Sequence, residues 1–72
     1  MILYYLPGHR ESECAREFAE RHPDMEPCPV DAHLMGALWR DHELGYFPAL
    51  VRDKPGILVG LDTILAIYGD DV

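Results

Sequence analysis

Pro27 and Pro29 stand two residues apart inside the second apolar run of the chain, Met25 to Val30. Proline has no amide hydrogen to give to a neighbouring strand, so it is confined to sheet edges, strand starts and irregular segments. If that run is a strand, it lies at an edge of its sheet or is irregular. Every arrangement that places it in the middle of a sheet is thereby removed.

The other punctuation marks sort the rest of the chain into elements. Ile2 to Leu6 is a short apolar, aromatic-rich run closed by Pro7-Gly8, the pattern of a buried strand. Glu11 to His22 carries good helix formers, with Ala15, Phe18, Ala19 and His22 on one stripe, and His22-Pro23 ends it. Asp31 is placed to cap a helix from Ala32 to Leu44 with Leu34, Leu38, Met35 and Trp39 as its apolar residues, and Gly45 is placed to terminate it. Trp39 and Phe18 are expected in the core. Phe47 to Val51 and Ile57 to Val59 read as a hairpin across the polar turn Asp53-Lys54-Pro55-Gly56. Leu61 to Tyr68 reads as a last helix with Leu61, Ile64, Leu65 and Tyr68 inward, stopped at Gly69 and followed by a loose Asp70-Asp71-Val72 tail. The order strand, helix, strand, helix, strand, strand, helix predicts a parallel first pair joined by a right-handed crossover, with an antiparallel hairpin added to the same sheet. A four-stranded mixed sheet carrying three helices is the expected α/β architecture.

Seventy-two residues allow one domain, residues 1–72, and no second core. With 13 acidic against 6 basic side chains the chain carries a formal charge of −7, divided as −4 over the first 36 residues and −3 over the last 36. Phosphate backbones repel such a chain, so no nucleic-acid partner is expected. No run approaches the roughly 18 apolar residues of a membrane span, and the apolar start lacks the basic flank and cleavage site of a signal peptide. A cytoplasmic location and no membrane partner follow as expectations. Cys14 and Cys28 are too few for a disulfide scaffold and are expected as free thiols, with Cys28 a small buried hydrophobe. His22, His33 and His42 share no ligand spacing, so no metal site is expected.

Three stretches carry a family resemblance. Tyr5-Leu6-Pro7-Gly8-His9-Arg10-Glu11-Ser12 is similar to the strand end, Pro-Gly and Cys-Pro-Tyr-Cys of small glutaredoxins. Val30-Asp31-Ala32 before a helix, followed by Gly45-Tyr46-Phe47-Pro48-Ala49-Leu50-Val51, is similar to their Gly, spacer, Val-Pro-Ala-Leu stretch. Val59-Gly60-Leu61-Asp62-Thr63-Ile64-Leu65 resembles the Gly-Gly-x-Asp-Asp-Leu turn into their last helix. The chain therefore resembles the thioredoxin-like superfamily over nearly its whole length. The resemblance implies a thioredoxin-like, glutaredoxin-type βαβαββα fold and a cis peptide before Pro48. It also implies a ligand or partner groove built from His9, Arg10, Ser12, Phe47, Pro48 and Asp62.

The resemblance stops at the chemistry. Thiol–disulfide exchange needs a thiolate at the helix start, where the dipole and free amides lower its pKa. In the register set by Pro7-Gly8, His9 takes the position of the attacking cysteine and Ser12 that of the resolving one. No catalytic residue is assigned, and no cofactor is expected, although the resemblance allows glutathione. Leu6 stands where the family has a basic residue before Pro-Gly, and Asp62 is either a ligand contact or a cap of the last helix. His9 and Arg10 are cations at a helix start, where the dipole disfavours them; they belong to an anion site or to a solvated loop. The expected function is a non-catalytic binding module, an adaptor, inhibitor or accessory protein that docks on a protein partner. The chain is expected as a monomer or a weak homodimer. The alternative is a glutathione-dependent or monothiol oxidoreductase or transferase using Cys14 or Ser12.

Overall fold

The computed structural model of the chain describes residues 1–52 and 56–69. Strand β1 (Ile2–Tyr5) pairs in parallel with β2 (Glu26–Pro29), and helix α1 (Arg10–Arg21) connects them. The Glu26 amide donates to Met1 O and the Val30 amide to Tyr5 O, both at 2.9 Å. Even-numbered positions of this strand therefore face β1, and the alternation of a strand turns Pro27 and Pro29 outward. The two residues that cannot donate occupy the side where no donor is needed. β2 is accordingly an edge strand, and the sheet order is β2-β1-β3-β4, with β3 at Ala49–Val51 and β4 at Ile57–Val59. β1 pairs antiparallel with β3, and β3 antiparallel with β4. The expected mixed four-stranded sheet is present. Of the expected hairpin turn only Gly56 is described; Asp53 to Pro55 lie outside the described residues, as does the Asp70 to Val72 tail.

Side chains alternate across this sheet and build a core on each face. Leu3, Leu50 and Leu58 point to one face, where Ala15, Phe18 and Ala19 of α1 and Ile64 of α3 (Leu61–Tyr68) cover them. Ala49 and Phe47 lie on the other face with Val30, Leu44 and Leu38 of α2 (Ala32–His42), flanked by Tyr4, Leu6, Leu34 and Ile57. Helices α1 and α3 thus share one face and α2 takes the other. Asp31 caps α2 as expected, its carboxylate accepting the Leu34 amide at 2.7 Å.

Several sequence expectations need correction. Trp39 is not in the core: it is 62% exposed. Leu34 and Leu38, four residues apart, form the stripe that meets the sheet; Met35 and Trp39 each lie one position further, about 100° round the helix, and face outward. Helix α2 ends at His42, and the left-handed residue that closes it is Glu43 (φ 54°), not Gly45. Gly45 serves a different need, since a Cβ there would stand 3.2 Å from the Trp39 ring. β3 begins at Ala49, so Phe47 and Pro48 form a corner before it, with a cis peptide between them. Leu65 lies outward on α3 and Cys28 is half-buried, because the inward stripe of a short helix and the inner side of an edge strand are both narrow. Phe18, in contrast, is core.

Candidate functional site

Helix α1 opens without a side-chain cap. Its N-cap residue, His9, has extended backbone and makes no cap hydrogen bond through its ring. The first intrahelical bond runs from the Glu13 amide to His9 O at 2.8 Å, so the amides of Arg10, Glu11 and Ser12 are the donors a helix start leaves without intrahelical partners. Among the described residues Ser12 is the buried polar one, 1% exposed, and its Oγ has no hydrogen-bond partner. A buried hydroxyl left unpaired costs on the order of 1–3 kcal/mol. Helical serines commonly return their proton to the carbonyl one turn back; Ser12 does not.

A cavity of about 390 Å³ lies at this helix start. It is lined by Leu6, His9, Arg10, Glu11 and Ser12 on one side and by Gly45, Tyr46 and Phe47 on the other. No turn or loop backbone hydrogen bond among the described residues engages Tyr46 or Phe47. The corner is held from behind, where the Gly60 amide donates to Pro48 O at 2.8 Å. The structure therefore brings His9, Arg10, Ser12 and Phe47 together around one space, with Pro48 buried beside it. Asp62 is not among the lining residues. It is an exposed residue in the first turn of α3, whose N-cap is Gly60, so it does not cap that helix either.

Beyond Gly45 the surface continues onto the outer side of α2, where Met35, Trp39 and Leu44 border a shallow apolar hollow. Gly45 borders both spaces, and Tyr46, 63% exposed, lines the first. Exposed aromatic side chains gathered beside a cleft are the composition of binding surfaces.

Glu13 ties the Pro7-Gly8 turn to the first turns of α1. Its carboxylate accepts from Arg16 Nε at 2.7 Å and from the Gly8 amide at 3.3 Å, and Arg16 also pairs with Glu20. The hydrogen bond from Arg16, helped by the one from Gly8, holds the Glu13 carboxyl below the ordinary glutamate range. A lowered folded-state pKa means that this contribution is present above the ordinary glutamate value and is lost as pH falls through the depressed one. The Gly8 amide resonance is therefore expected to titrate below the ordinary glutamate range. Arg16→Gln should move that transition upward; an unmoved transition would show that Arg16 is not the cause.

Cys14 is exposed on α1 and Cys28 half-buried on β2, both unpaired, and neither lines the cavity. Among the described residues no three His, Cys, Asp or Glu are placed to hold a metal ion, and no helix is long and apolar enough to cross a membrane. Sequence reasoning named Ser12 only by its position and missed its burial; the signal was the i, i+3, i+7 spacing Ser12, Ala15, Ala19 on the inward stripe. Tyr46 and Gly45 were missed as walls because they fall in a loop without periodicity. Comparison with protein-family models, with curated proteins and with solved structures yields no match.

Proposed function

We propose that the chain is a thioredoxin-like, glutaredoxin-type binding module without dithiol chemistry, which docks a protein partner along the groove between the start of α1 and the Gly45–Phe47 segment. The observation that carries this reading is the cavity itself: an uncapped helix start, Ser12 with its buried unpaired hydroxyl and the Gly45–Phe47 segment line one space, with exposed Tyr46 and Trp39 at its side. The strand order and the division of helices between the two faces support the fold assignment. Sequence supports the loss of dithiol chemistry, since His9 and Ser12 bring no sulfur to the helix start. The net charge of −7 favours a partner with a basic or mixed surface and speeds its encounter.

The test is capture of a partner from a lysate of the source organism by the immobilised chain. The same partner should be retained by Arg21→Ala, at the far end of α1, and lost by Tyr46→Ala. Insulin reduction and glutathione mixed-disulfide reduction, run alongside, should show no turnover. Turnover at the level of a glutaredoxin that disappears in Cys14→Ser would replace this reading with a monothiol oxidoreductase.

A further inference from the structure

We propose that the cavity at the start of α1 is a carboxylate pocket, in which Ser12 Oγ and the first-turn amides of α1 donate to one carboxylate of the ligand and Arg10 supplies the charge. The inference rests on the groove being the binding face and names the chemical group that face receives.

Two independent observations meet here. The first is an uncapped start on a twelve-residue helix, where free amides and the positive end of the dipole favour an anion. The second is Ser12, fully buried, lining the same cavity, with an Oγ that satisfies nothing in the folded chain. A donor kept buried and unpaired is accounted for if its acceptor arrives with a ligand. Arg10 at this end adds positive charge where a helix start disfavours it, and a bound anion removes the conflict.

Charge decides which anion. Glu11 lines the cavity together with Arg10, and the whole chain is at −7, so a dianion meets more repulsion than a single charge. Glu13, one residue beyond Ser12, does not add to that repulsion in full, because Arg16 pairs with it. A carboxylate carries one charge in a planar two-oxygen head, which the hydroxyl and the amides can share. The same helix end already holds a carboxylate of its own, Glu13, on the Gly8 amide.

The test is a series of amide-shift titrations on the full chain with sodium acetate, inorganic phosphate, and tetra-alanine bearing either a free or an amidated C-terminus. Sodium chloride at equal ionic strength is the control. Acetate is expected to move the Arg10, Glu11 and Ser12 amides saturably, and chloride not at all. Ser12→Ala should weaken that binding roughly tenfold or more, the loss of one buried hydrogen bond to a charged group. Because it removes an unpaired buried hydroxyl, this variant is expected to fold at least as well as the parent, so lost binding cannot be laid to unfolding. Free-acid tetra-alanine binding more tightly than acetate, and reaching Tyr46 and Phe47, while the amidated form fails, would support the pocket and assign the carboxylate to a chain terminus. N-acetyl-aspartate amide binding more tightly than tetra-alanine would support it and assign the carboxylate to a side chain. Shifts that follow ionic strength, that persist unchanged in Ser12→Ala, or that are stronger with phosphate than with acetate would overturn the proposal. Partner capture through Tyr46 without acetate binding overturns the pocket alone; acetate binding with no partner captured supports the pocket and removes the docking reading.

Discussion

Replacing Leu50 with alanine is expected to destabilise the domain by about 2–5 kcal/mol. Leu50 is fully buried in the middle of β3, paired with Leu3 of β1 on one side and Leu58 of β4 on the other. It stands in the core that α1 and α3 cover, with Phe18 and Ile64 in the same cluster. Truncation removes apolar contact from both helices, and strands on either side restrain collapse into the space left behind, so the loss belongs in the upper part of that range. A chain of 72 residues has a total stability on the order of 4–11 kcal/mol. Much of it is therefore expected to vanish with one side chain. Ile67→Ala removes a comparable side chain from the outer side of α3, where Ile67 is 50% exposed, and is expected to change stability by under about 1 kcal/mol. Urea unfolding of the two variants checks both values; equal losses would mean that α3 is rotated from the position described.

Alanine at Gly60 is expected to cost about 1–3 kcal/mol, whereas alanine at Gly36 is expected to add about 1 kcal/mol. Gly60 has φ +94° and ψ 145°, a region that side-chain-bearing residues rarely enter. A Cβ there would meet nothing within 4 Å, so the cost is one of backbone conformation and not of crowding. Relaxing the backbone to accept alanine would disturb the hydrogen bond that the Gly60 amide donates to Pro48 O, which holds the Phe47–Pro48 corner of the groove. Gly36 lies inside α2 on its exposed side, also with open space around it, and there the same added methyl only removes freedom from the unfolded chain. For a domain of this size each kcal/mol corresponds to roughly 4–8 °C in the unfolding midpoint, so the two variants should separate clearly in a thermal melt. A Gly60→Ala midpoint equal to that of the parent would show that the turn adapts.

The sequence by itself determined the element order, the exclusion of β2 from the sheet interior and the Asp31 cap of α2. Pro27 and Pro29 exclude β2 from the sheet interior through a missing atom, and Asp31 caps α2 through an oxygen three residues from its target. Such features act within a few residues and need no knowledge of what lies across the fold. The division of Leu3, Leu50 and Leu58 from Tyr4 and Ala49 follows from the fixed alternation of a strand once the pairing register is known. The tertiary structure alone decided which apolar side chains are left outside and what the groove contains. Trp39 and Leu38 are neighbours in sequence and both apolar; one is core and the other exposed because a single sheet can cover only one stripe of α2. Ser12 reads in sequence as one more hydroxyl at a helix start. Only the approach of the Gly45–Phe47 segment to α1, from more than thirty residues away, encloses the cavity that Ser12 lines, and with it the candidate site. Burial is set by what lies across from a residue, and the chain does not state that locally.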